Sequence, residues 1–271
     1  MTGELGQLIG QGREAEIYAW GEGRVLKLFL PPTPREAVEQ QAQVARIASE
    51  AGVPTPVVGE IVEVDGRYGI VFERVDGPSM LAQAVTHPWQ LRRLARQWAE
   101  LQAVIHACKA SELRSLKEAI RGAIEGSEAL DAAVRQAALR RLERLPDGDR
   151  LCHGDFHPDN IMMSPRGPVV IDWSNGLRGD PLADVARTWV LADMAAVPAD
   201  MKGRWLIAVF RAVFYRVYLK RYRQLRPFTD EELGAWKVPM VAARLAMEDI
   251  PEERARLTEY LERALDGRES G

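Results

Sequence analysis

Only two of the 271 residues are cysteine, Cys108 and Cys152. Two cysteines make no disulfide framework. Both sit in apolar surroundings, so buried thiols and a reducing, cytoplasmic compartment are expected. Histidine is also scarce, at four residues. The pair His153 and His157 is interrupted by Gly154 and followed by Pro158, so no helix aligns them as zinc ligands; His153 is expected to hold its loop by bonding backbone. No sign of charge dominates: 36 basic against 39 acidic residues leave a net −3, too little for nucleic-acid binding by bulk charge. Long apolar runs are missing, since the stretch from Trp205 to Phe210 is short and bracketed by arginines, so no membrane span is expected. The start, Met1-Thr2-Gly3-Glu4, lacks the basic head and apolar core of a secretory signal. There is no internal repeat and no low-complexity tract.

What is present is an ordinary globular mixture, 46% hydrophobic and 28% charged, long enough for one large domain or two modest ones. The first third reads as β-rich. Leu5 to Ile9, Glu16 to Trp20 and Arg24 to Leu30 are short apolar runs parted by turns such as Gly21-Glu22-Gly23. A helix is expected from Arg35 to Ala51, stopped by Gly52 and Pro54. Val57 to Val64 and Tyr68 to Val75 then read as a hairpin about Asp65-Gly66. Asp76-Gly77-Pro78 breaks the pattern and divides a small lobe, 1–75, from a larger one, 76–271. Beyond it Leu91, Leu94, Trp98, Leu101 and Ile105 recur at helical spacing. Further helices are expected through Leu113 to Leu145, Leu182 to Ala195, Met201 to Leu225, Glu231 to Met247 and Glu252 to Leu265. The fold class is therefore α+β, a small antiparallel β-rich lobe followed by a mainly helical one.

The most informative segment interrupts the helices: Leu151-Cys152-His153-Gly154-Asp155-Phe156-His157-Pro158-Asp159-Asn160, then Val169-Val170-Ile171-Asp172-Trp173. A turn at Ser164-Pro165-Arg166-Gly167 would set Asn160 and Asp172 near each other across two antiparallel strands. Their hard oxygens suit magnesium together with substrate phosphates. Asp155, preceding the hairpin, is placed to orient a hydroxyl and accept its proton. Near the N-terminus, Gly10-Gln11-Gly12 lies between two expected strands, where glycine lets backbone N–H groups approach phosphate oxygens. Lys27 stands inside the apolar strand Val25-Leu26-Lys27-Leu28-Phe29, a costly place for an ammonium without a partner. Asp180-Pro181 reads as a helix N-cap with proline at the first position. Asp184 then falls in an apolar turn and must find donors, for which the backbone around Asp155 is the expected source.

Protein kinases use the same order of catalytic Asp, magnesium-binding Asn and later metal-binding Asp. The loop His-Gly-Asp-Phe-His-Pro-Asp-Asn, the Ile-Asp-Trp and the Gly-Asp-Pro-Leu-Ala-Asp resemble instead the aminoglycoside phosphotransferase and choline-kinase-like family of small-molecule kinases. The resemblance covers Gly10 to about Leu191. It implies a bilobal protein-kinase-like fold that binds ATP, or GTP, with Mg2+ on Asn160 and Asp172. It also implies phosphates held by Gly10, Gly12 and Lys27, adenine on the backbone around Phe72 to Val75 (Glu73 and Val75 among them), and Asp155 as the catalytic base. The partner would be a small hydroxylated acceptor, with no nucleic acid and no membrane. One departure stands out. The family pairs the strand lysine with a helix glutamate, and that position here is Gln41, with Glu39 the nearest acid but on another face. Either the register is shifted or Lys27 meets an amide. For the acceptor, Glu231, Glu232, Glu248, Asp249, Glu252 and Glu253 read as a solvated face. Trp173, Trp189, Trp205 and Trp236 read as core or as a cage for a quaternary ammonium. A protein kinase is the nearest competitor, although no Ala-Pro-Glu element follows Asp172. A catalytically silent nucleotide-binding module is the other.

Overall fold

The computed structural model describes residues 4–194, 204–247 and 251–265. The chain forms two compact units, Met1–Thr86 with Pro158–Gly176, and His87–His157 with Leu177–Gly271.

The first unit is built on a five-stranded antiparallel sheet. Its strands are β1 (Leu5–Gln11), β2 (Ala15–Trp20), β3 (Arg24–Phe29), β4 (Val58–Val64) and β5 (Arg67–Glu73), in the order β1-β2-β3-β5-β4. The turns fall where the glycines stand: Gly21 and Gly23 take φ of 65° and 66°, Asp65 and Gly66 take 50° and 73°, values that glycine and, less readily, Asp tolerate. The period of two sorts the side chains. Trp20, Leu26, Leu28 and Val71 cluster on one face, and Ala15, Phe29 and Ile70 on the other, against Val38 and Ala42 of α1 (Arg35–Glu50). Pro34 precedes α1, and Gly52 at φ 82° follows its end.

The expected break at Asp76-Gly77-Pro78 is not where the compact units part. Gly77, at φ 144°, lies so close to Met163 that a Cβ would strike its carbonyl, and the Pro78 carbonyl accepts the Met163 N–H at 2.8 Å. A short helix, α2 (Met80–Thr86), which the sequence pattern did not signal, therefore remains with the first unit. So does the hairpin that carries Asn160 and Asp172, formed by β7 (Ile161–Ser164) and β8 (Gly167–Val170), with Ile161 opposite Val170 and Ser164 opposite Gly167.

In the second unit α3 (Leu91–Ile105) buries Leu94, Ala95, Trp98, Leu101, Gln102 and Ile105 along one stripe. The stretch expected to be helical from Leu113 to Leu145 resolves into α4 (Leu116–Glu125) and α5 (Ala132–Glu143); Gly122 lies inside α4 and Gly126 ends it. Two three-residue strands, β6 (Arg150–Cys152) and β9 (Leu177–Gly179), pair antiparallel. Helices α6 (Pro181–Trp189), α7 (Arg204–Leu225), α8 (Asp230–Met247) and α9 (Pro251–Leu265) complete it, with one π-helical turn, Val190–Met194, continuing α6. Ala195 and Met201, where helix ends were expected, lie outside the described residues. Cys108 and Cys152 are buried free thiols. No helix among the described residues is long and apolar enough to cross a membrane.

Candidate active site

Strand alternation sets Lys27 on the Phe29 side of β3, toward α1. Its ammonium lies 2.7 Å from Asp172 Oδ1, 2.9 Å from Ser174 Oγ and 3.5 Å from Gln41 Oε1. The cost of an ammonium in an apolar strand is thus met by a direct ion pair with the expected metal-binding carboxylate. Of the two alternatives left by counting along α1, the amide is what Lys27 meets. Glu39 is exposed and pairs with Arg35 at 2.8 Å.

Asp172 sits two residues beyond β8 in the left-handed region, φ 62°, which turns the chain out of the strand and brings Ser174 back to Lys27. Asn160 closes a 3-10 turn, Pro158–Asn160, just before β7; it is 8% exposed, and its carbonyl accepts the Ile171 N–H at 2.9 Å. Both residues therefore stand at the open end of the hairpin. Their oxygens, an amide and a carboxylate, are the hard donors that a magnesium ion takes.

Gly10 lies near the end of β1 and Gly12 in the turn to β2. A Cβ would meet nothing nearer than 3.8 Å at Gly10 or 3.6 Å at Gly12, so packing does not demand glycine at either place. Gly12 spends its own N–H on the Ala15 carbonyl at 2.8 Å. At the end of β5 the Glu73 N–H donates to Val57 and the Arg74 N–H to Gly23, each at 2.9 Å. The Glu73 carboxylate receives Arg166 and, at 3.3 Å, the Val57 N–H. Val75 follows, half-buried, beyond the strand.

In the second unit the loop after β6 presents Asp155. His157 Nε2 lies 3.4 Å from its Oδ2, and the Asp155 N–H donates to His153 Nδ1 at 3.3 Å, the loop-holding role expected of His153. Burial works to raise the Asp155 pKa. The His157 hydrogen bond and the charges of His157, Arg187 and His153 outweigh it and hold the carboxyl below its ordinary value.

The loop hangs on Asp184, which is fully buried. Its Oδ1 accepts the Gly154 N–H at 2.8 Å, and its Oδ2 accepts the His153 N–H at 3.1 Å, His106 Nε2 at 3.0 Å and Gln102 Nε2 at 3.2 Å. The Tyr222 hydroxyl stands 2.6 Å from His106 Nδ1. Burial opposes the charge of Asp184, but the His106 bond and charge, the His153 charge and the Gly154 N–H pull its pKa down to about 2. The expected cap is formed too, with Asp180 accepting the Leu182 N–H at 2.7 Å.

Sequence reasoning missed several residues of these constellations. Ser174, Arg166, His106, Gln102 and Arg187, whose Nε donates to the Gly154 carbonyl at 3.2 Å, have no local pattern that marks them; each is recruited by tertiary contact. Trp173, Trp189 and Trp236 are buried, as core residues are, and the face of Trp189 is occupied by the Lys237 ammonium 4.5 Å from its centre. The Trp205 side chain, Glu248 and Asp249 lie outside the described residues. Glu231, Glu232 and Glu252 are exposed, as a solvated face requires. Glu253 departs from it, 4% exposed and bonded to Arg244.

A family model described as a phosphotransferase enzyme family matches residues 6–228. Among solved structures, a thermostable mutant of the aminoglycoside phosphotransferase APH(4)-Ia, in a ternary complex with AMP-PNP and hygromycin B, is similar at 18% identity and TM-score 0.69, covering 98% of this chain and 94% of that one. The aminoglycoside-3'-phosphotransferase of type VIII is similar at 21% identity and TM-score 0.63, over 88% and 93%. A choline/ethanolamine kinase family protein from Mesorhizobium loti is similar at 18% identity and TM-score 0.57, over 100% and 83%. No curated protein matches the chain in sequence. The antiparallel sheet and the helical unit are those of the kinase-like fold. The chain belongs to the phosphotransferase enzyme family.

Proposed function

We propose that this enzyme moves the γ-phosphoryl group of ATP to a hydroxyl of a small molecule, with magnesium. The observation that carries the reading is the 2.7 Å pair of Lys27 and Asp172 at the open end of the Asn160 hairpin. It joins a phosphate-seeking ammonium to a metal-seeking carboxylate within one compact unit. Solved relatives are described in complex with AMP-PNP, which supports ATP as donor.

In this reading Lys27 neutralises phosphate charge, and Gly10 and Gly12 give phosphates two backbone positions without a Cβ. With the Glu73 and Arg74 N–H groups engaged in the sheet, the Glu73 carbonyl and the backbone of Val75 are the groups proposed for adenine. Asn160 and Asp172 would hold Mg2+, which supplies charge neutralisation on the phosphates when bound. Asp155, kept ionised by its neighbours, orients the acceptor hydroxyl. It takes the hydroxyl proton as the new O–P bond forms and the bond to the leaving diphosphate breaks. Two buried free thiols fit a reducing, cytoplasmic setting.

The test is ADP formation with a panel of aminoglycosides, amino alcohols, sugars and amino acids. Turnover with a hydroxylated small molecule is expected. ADP formation with none of them, or with protein acceptors alone, would overturn the reading. Asp172→Ala is expected to weaken Mg-ATP binding. Nucleotide affinity unmoved both by that substitution and by EDTA would remove the metal assignment.

A further inference from the structure

Ser174 takes no part in the chemistry above, yet it touches every other member of the Lys27 cluster. Its Oγ lies 2.9 Å from Lys27 Nζ and 3.1 Å from Gln41 Oε1, and it donates to Asp172 Oδ1. Gln41 Oε1 is itself 3.5 Å from Lys27 Nζ. An ammonium offers three donors and no acceptor. Here those donors face one carboxylate, one hydroxyl and one amide oxygen, so Asp172 is the charged member among the three. The hydroxyl has a single proton and can give it to Asp172 or to Gln41, not to both.

This arrangement has a chemical consequence. A second carboxylate at position 41 would hold Lys27 by charge whether or not Asp172 were engaged elsewhere. An amide and a hydroxyl hold it by dipoles, which orient the ammonium and leave its charge uncancelled. When Asp172 serves a metal, the Ser174 proton turns to Gln41, and the Ser174 lone pair and the Gln41 carbonyl continue to receive Lys27. We propose that Ser174, acting with Gln41, is the positioning residue for Lys27: a neutral two-point clamp that takes the place of a helix carboxylate and leaves the full lysine charge to the nucleotide phosphates. The proposal rests on the nucleotide reading above and concerns residues that all belong to the first compact unit.

The experiment measures ATP affinity by titration calorimetry in saturating Mg2+, the state in which Asp172 serves the metal, for the wild type, Ser174→Ala, Ser174→Thr, Lys27→Ala and the Lys27→Ala/Ser174→Ala double variant. Ser174→Ala is expected to weaken ATP about tenfold, the loss of one hydrogen bond to a charged group. Ser174→Thr, which keeps the hydroxyl, should stay within about threefold of the wild type. In the Lys27→Ala background Ser174→Ala should cost nothing further, because a clamp without its lysine has nothing to hold. In turnover, Ser174→Ala should raise the KM for ATP more than it lowers kcat. Undiminished affinity in Ser174→Ala, failure of Ser174→Thr to restore it, or a second tenfold loss in the double variant would each overturn the clamp while leaving the nucleotide reading intact. A wild-type protein that binds no ATP would overturn that reading, and the clamp with it.

Discussion

Removing the charge of Asp184 tests the architecture behind Asp155 most directly. Asp184→Asn keeps the shape of the side chain but replaces one acceptor oxygen with a donor. Four donors converge on the carboxylate: the backbone of His153 and Gly154, His106 and Gln102. Whichever way the amide turns, at least one buried N–H faces another donor, at a cost of about 1–3 kcal/mol. The charge itself adds to this. A folded-state pKa of about 2 against an ordinary 3.8 means that folding is favoured by the ionised form by about 2 kcal/mol. This stabilisation is fully present above pH 3.8 and is lost as pH falls toward about 2. Urea unfolding followed by circular dichroism should therefore show the variant destabilised by about 3–5 kcal/mol at pH 7, with the gap to the wild type closing as pH drops from 4 to 2. A variant within 1 kcal/mol of the wild type at pH 7, or a gap that stays constant through the acid range, would refute the reasoning.

Three further outcomes follow from the same structure. Asp155→Asn should lower kcat by about 10²–10⁴ while ATP affinity by calorimetry stays near the wild-type value, because the role proposed for Asp155 lies on the acceptor side of the reaction. Gly148→Ala should destabilise by about 1–3 kcal/mol in thermal melts, since a Cβ there would strike the backbone of Gly179 and Asp180; a neutral effect would mean that the strands β6 and β9 do not hold this spacing. Glu253→Gln should cost about 3–5 kcal/mol by the same measurement, because it leaves the Arg244 guanidinium, 7% exposed, without the carboxylate it reaches at 3.0 and 3.3 Å.

Two turns of the first unit were legible because β2 and β4 end where the next residues, Gly21 and Asp65-Gly66, take positive φ. The cap at Asp180-Pro181 and the burial of Asp184 were legible for a similar reason: a charged residue in an apolar turn has few ways to be satisfied. Counting along α1 also located Gln41 correctly. What could not be read was whatever depends on distant pairing. Strands β6 and β9 are three residues each and lie about 25 positions apart, too short for any period to register. Helix α2 follows a glycine forced by the closeness of Met163, a residue far along the chain. Ser174 reaches Lys27 only because Asp172 adopts φ 62°, a conformation that nothing in the neighbouring residues announces.

The order in which the chain is made gives the Lys27–Asp172 pair a further meaning. The sheet with its lysine is complete by Glu73, but Asp172 belongs to a hairpin separated from the rest of its unit by residues 87–157. At a synthesis rate of about 5–20 residues per second, the ribosome needs several seconds to cross that interval. During it the carbonyls of Pro54 and Pro78 lack the Val170 and Met163 N–H groups that they later accept, and the lysine has no carboxylate beside it. The first unit to leave the ribosome is thus finished only after residues 87–157 of the second have been made. The Lys27–Asp172 ion pair is one of the last contacts the sheet acquires.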